Sequence, residues 1–100
     1  MTTNDIDITR TREAGELLEA IVSLRSAEEC RALLRDLCTI AELRAMVERF
    51  QVAKLLDEGL TYRQINARLG SSTTTITRVA HWLRHGAGGY ASALERRKGA

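Results

Sequence analysis

From Gly70 to His85 the chain reads GSSTTTITRVAHWLRH, and six of the seven residues from Ser71 to Thr77 carry a hydroxyl. Threonine is a mediocre helix former, because its branched side chain loses rotamer freedom against the preceding turn. Such a run at a helix start suits polar contacts better than stability. Amides at a helix amino terminus suit phosphate oxygens. Short hydroxyl side chains let a helix approach base edges, and a threonine methyl can meet a thymine methyl. On this reading Thr73, Thr74 and Thr77 face a major groove, with Ser72 at the helix start and Arg78 behind them. Thr75 lies off to one side, to brace the helix or touch a phosphate. Arg63, on the segment before the turn, reaches a phosphate or a guanine. The plain alternative is a helical pair with a polar cap.

Other groupings carry less chemistry. His81 and His85 are four apart, a spacing that can bind zinc, but no acidic or cysteine partner is near, so no metal is expected. Histidines close to a helix carboxyl end also interact favourably with its dipole. Cys30 and Cys38 fall in apolar helical patterns and are expected as two buried thiols in a reducing compartment. Trp82 is expected to pack partly buried. No Ser-His-Asp grouping, glycine-rich phosphate loop or paired-carboxylate pattern appears, so neither an enzyme nor a cofactor is expected.

Charge supports a polyanion as partner. Up to residue 58 there are eight Lys/Arg against twelve Asp/Glu; from 59 on there are seven against one, Glu95. A basic carboxyl-terminal part on an acidic amino-terminal part is the asymmetry expected of a chain that meets nucleic acid with one end. MTTNDIDITR lacks the apolar core of a signal peptide, and no apolar run approaches the roughly 20 residues of a membrane span. A cytoplasmic location with no membrane contact is therefore expected. With aromatics at 4% of 100 residues, the core must be aliphatic and small, and an oligomer would enlarge it.

The elements that must hold these residues are helices. There is no proline, and three hydroxyl residues each stand three before Glu or Gln: Ser26 with Glu29, Thr39 with Glu42, and Thr61 with Gln64. Each spacing is that of a capping box. With the apolar periodicity, they predict helices over 12–24, 27–37, 40–57, 62–69 and 72–84, and a short one over 90–97. Leu43, Met46, Val47, Phe50, Ala53, Leu55 and Leu56 form a wide apolar stripe on the third. Gly70 supplies the turn between the fourth and fifth, and Ile65, Leu69, Ile76 and Val79 are expected to pack those two together as a helix-turn-helix. Asn66 stands four before the turn glycine, where such motifs often have alanine, and is expected either to point outward or to shift the crossing. The organisation expected is a flexible arm at 1–9, a helical dimerisation core at 10–58, a DNA-reading head at 59–86 and a tail or short helix at 87–100, with 10–100 one domain.

From Leu17 to Tyr90 the chain resembles the tryptophan-repressor superfamily, and within it the branch of TrpR-like YerC/YecD proteins. The DLCT-x-x-EL segment, the AKLL-x-x-G-x-TY segment and the T-x-TI-x-R-V helix together carry the resemblance. It implies an all-α fold with a helix-turn-helix and an intertwined homodimer. A two-fold dimer would read half-sites about one DNA turn, roughly 34 Å, apart. By motif position, Thr73, Thr74 and Thr77 fall where the family's recognition helix meets DNA, and Arg63 on a backbone- or base-contacting position. The family's effector stacks between two arginines. Arg78 matches one, Glu48 replaces the other, and Trp82 stands where the family has a small hydroxyl. Tryptophan is therefore not expected as corepressor. Glu48, Arg78 and Trp82 would shape any effector pocket, or Trp82 would fill it itself. The function expected is a sequence-specific DNA-binding transcriptional regulator, a repressor by default, acting on double-stranded DNA as a homodimer. A helical protein-interaction module and a repressor gated by another small effector are the alternatives.

Overall fold

The computed structural model describes residues 7–99, all of them helical or in short connections. Six α-helices follow one another: α1 Arg12–Val22, α2 Ala27–Leu37, α3 Ile40–Asp57, α4 Tyr62–Leu69, α5 Thr73–His85 and α6 Gly89–Gly99. The first six residues of the expected arm lie outside the described residues. Its end is ordered locally: Asp7 caps a 3-10 turn at Ile8–Arg10. The Thr9 hydroxyl donates to the Asp7 carboxylate and holds its pKa below the usual carboxylate value.

The caps are where the spacing places them. Thr39 accepts from the Glu42 amide while Glu42 accepts from the Thr39 amide, and Thr61 and Gln64 do the same. The third box is half formed. Ser26 accepts from the Glu29 amide, but the Glu29 carboxylate turns to the amide of Arg25, one residue earlier. α1 stops at Val22, two residues before the expected end, and starts at a cap the spacing did not reveal, Thr11.

The chain forms two compact units, Met1–Cys38 and Thr39–Ala100. In the first, neither α1 nor α2 buries a residue. Leu17, Leu18, Ile21, Val22 and Leu37 all remain substantially exposed. Cys30 is exposed and Cys38 half-buried, both free, so the expectation of two buried thiols is corrected. Among the described residues nothing buries that apolar face in the single chain.

The second unit has the core. Val52, Ala53 and Leu55 of α3 meet Ile65 of α4, Ile76 and Val79 of α5, and Leu94 of α6. The expected stripe on α3 is only partly used. Ala53 and Leu55 are buried, Phe50 and Leu56 pack at the edge of the core, and Met46 and Val47 stay exposed. Val52, absent from that stripe, is wholly buried. α3 is apolar around much of its girth, so periodicity alone did not choose its inner face. Leu69 is a second correction. Instead of packing α4 on α5 it is 37% exposed, and it borders an apolar groove with Ile40, Leu43 and Val47 of α3. The sixth helix is longer than expected. Leu94 fastens it to the core, and Lys98 pairs with Asp57 at 2.6 Å, which raises the lysine's pKa above its usual value.

Candidate nucleic-acid interface

The turn between α4 and α5 sets the position of the hydroxyl run. Gly70 closes α4 in the left-handed conformation, with φ 73° and ψ 10°. A residue with a Cβ adopts that conformation at a cost, and glycine adopts it freely. The Gly70 amide donates back to the Asn66 carbonyl at 2.8 Å. Ser72 then caps α5, its hydroxyl accepting from the Thr75 amide at 3.1 Å. The helix therefore starts at Thr73, and Ser72 stands outside it as the cap.

This start puts the hydroxyls on two sides. Thr73, Thr74 and Thr77 are exposed, together with Ser72 and Arg78, while Ile76, Val79 and Ala80 face the core. Thr75 is half-buried, and the Ser72 hydroxyl donates to its oxygen at 3.1 Å. Arg63 is exposed in the first turn of α4. All six expected contact residues thus present side chains to solvent. Ser72 has its oxygen committed to the cap and is the least available of them.

Two residues near the turn have duties that spacing did not reveal. Asn66 does not point away from the protein: its Nδ2 donates to the Ser71 carbonyl at 2.8 Å. Ser71 is 1% exposed, and its hydroxyl donates to Oε2 of Glu48 on α3 at 2.7 Å. The only sequence signal for this pair is a polar residue at 71 between a turn glycine and a cap. Nothing in the spacing names Glu48 as its acceptor, 23 residues away.

Glu48, Arg78 and Trp82 border one cavity of about 360 Å³, together with Arg49, Thr75 and Tyr90. Trp82 forms part of the wall and is 58% exposed. The rest of its surface is covered by the protein, so it packs partly buried as expected, and it stands at the border of the space. It stands next to His81, whose ring meets it edge-on with centroids 5.0 Å apart. The His81 and His85 rings lie 5.3 Å apart. No cluster of three or more potential metal ligands occurs among the described residues. No helix among them is long and apolar enough to cross a membrane.

Comparison with known proteins places this arrangement. The family model for Trp repressor protein matches residues 12–98. The Bacillus subtilis (strain 168) protein YerC, itself uncharacterized, is 43% identical over 93 residues, covering 93% of this chain and 89% of its own length. A candidate Trp repressor from Staphylococcus aureus superposes with a TM-score of 0.84 at 39% identity, over 89% of each chain. A TrpR-like protein from Eubacterium eligens ATCC 27750 superposes with a TM-score of 0.85, also at 39% identity, over 90% of this chain and 93% of its own.

Proposed function

The chain belongs to the Trp repressor family, a family of DNA-binding transcription regulators rather than enzymes, and from this we propose that it is a sequence-specific, homodimeric repressor that binds promoter DNA in the cytoplasm. The observation that carries the reading is the exposed row Thr73, Thr74 and Thr77, at the start of a helix whose opposite side is locked into the core. In this reading α4 crosses the phosphate backbone with Arg63, and α5 enters the major groove. Thr73, Thr74 and Thr77 meet base edges or phosphates, Ser72 holds the helix start at the backbone, and Arg78 neutralises phosphate. The uncovered apolar faces of α1 and α2 are the dimer surface. A second chain would bury them and place two reading helices on one face of the duplex.

A repressor gated by a small effector is the second reading, and the cavity bordered by Glu48, Arg78 and Trp82 favours it. Its wall carries a carboxylate where the family's resemblance implies an arginine, so tryptophan is not the expected occupant. Selection of genomic fragments by the purified protein at physiological salt, with no ligand added, separates the readings. Enrichment of a two-fold-symmetric sequence supports the ligand-free repressor. Enrichment only after a metabolite is added, with a rise in melting temperature, supports the gated one. No enrichment under any condition, or binding that is insensitive to salt, refutes DNA reading and favours a protein-interaction module.

A further inference from the structure

We infer that Glu48 is a positioning residue for the reading helix, acting through Ser71; the inference rests on the DNA-reading function proposed above. Ser71 is the last residue before the α5 cap and is held at two points. Its carbonyl accepts from Asn66 Nδ2 of α4 at 2.8 Å, and its hydroxyl donates to Glu48 Oε2 of α3 at 2.7 Å. One residue thereby ties the start of α5 to both helices that flank it. Glu48 makes no ion pair among the described residues, so this carboxylate has Ser71 as its partner. The hydroxyl it accepts from is almost fully buried. A hydroxyl buried without an acceptor is destabilised, and a bond to an ionised acceptor is stronger than a neutral one. The pair therefore resists rotation of the turn.

The residues directly after Ser71 inherit that resistance. Ser72 caps the helix, and Thr73 and Thr74 come next along the same rigid turn. A hydrogen bond to a base edge is lost within a few tenths of an ångström, whereas phosphate attraction tolerates such a shift. Releasing Ser71 should thus blur sequence discrimination and leave general attraction to DNA in place. A residue needed only for folding would instead lower both together. Glu48 is also distinct from the contact residues, because its carboxylate would repel phosphate and improves binding only by orienting α5.

The test uses the full chain and the sequence enriched by genomic selection, with a scrambled duplex as the non-specific probe. Glu48→Ala, Ser71→Ala and the double variant should each weaken the specific complex about tenfold or more, as expected for a lost charge-assisted bond, and leave the scrambled duplex unchanged. The double variant should be no worse than either single one. Glu48→Gln, whose side-chain carbonyl still accepts from the hydroxyl, should restore most of the discrimination. Amide exchange in the free protein gives a second readout independent of DNA. The Thr75 and Ile76 amides, bonded to Ser72, should exchange faster in Glu48→Ala, while the Ile65 amide of α4, bonded to Thr61, should not. Additive losses, equal losses on both duplexes, or equal acceleration of all three amides would overturn the positioning role. If the unaltered protein selects no sequence, DNA reading itself fails. If it does select one and Glu48→Ala matches it, only the role of Glu48 fails.

Discussion

Replacing Leu18 with Asp should split the proposed dimer while leaving the second unit folded. α1 and α2 have 11 residues each and bury none of them. Helices of that length are marginal by themselves in water, so their order in solution requires something to cover Leu17, Leu18 and Ile21. Leu18 is 47% exposed in the single chain. Full burial of a leucine side chain stabilises by about 1.5–3 kcal/mol, so a partner covering the exposed half contributes about 1 kcal/mol. Two-fold symmetry repeats the loss, giving about 2 kcal/mol per dimer, or about 30-fold in the dissociation constant. Placing a carboxylate at the same point adds its desolvation cost, and the combined effect should exceed about 100-fold. Sedimentation equilibrium measures this directly. Melting of the unaltered protein should also rise with concentration, since association stabilises the folded chain by mass action. Glu16→Ala, exposed and turned about 160° away from Leu18 around α1, should leave the constant unchanged. A monomer that melts at the same temperature at every concentration would refute the reasoning, as would a Leu18→Asp chain that associates as before.

Thr77→Ala should reduce discrimination at one base position by about 1–3 kcal/mol, seen as a relaxed preference at that position when binding is measured across single-base variants. Arg63→Ala should weaken binding evenly across sequences and lower the salt slope by about one if it meets a phosphate; an unchanged slope would place it elsewhere. Gly70→Ala forces a side chain into φ 73° and should cost about 1–2 kcal/mol in a denaturant melt, with the open space around its Cα excluding a clash as the cause. The Lys98 pKa is raised by its bond to Asp57, so the pair's contribution is fully present below the usual lysine value and is lost as pH rises through the raised one. Exchange protection in α6 should fall over that alkaline window, and Asp57→Asn should remove the effect.

Helix positions are legible because caps are local. Thr39 with Glu42 and Thr61 with Gln64 satisfy one another within four residues, so sequence spacing and structure state the same fact. The exposure of Thr73, Thr74 and Thr77 is legible for the same reason: three apolar neighbours at helical spacing, Ile76, Val79 and Leu83, leave the hydroxyls the other side. Where the neighbours are not local, spacing misleads. By spacing alone Asn66 can face outward, yet its amide is held by the Ser71 carbonyl beside it. Leu69 looks like core, yet it ends at the rim of α4, where α3 offers a groove instead of a seat.

By itself, then, the sequence determined the helices, the turn at Gly70 and the polar edge of α5, since each depends on residues a few positions apart whose hydrogen bonds and periodicity are written in their order. Tertiary structure decided which side of α3 is inside, that Trp82 forms a wall of a cavity, and that Glu48 holds Ser71. Those outcomes depend on groups brought together from distant parts of the chain. α3 is apolar on more than one side and offers several faces of similar worth. Only the packing of α4, α5 and α6 chose among them, and that choice put one carboxylate against one buried hydroxyl.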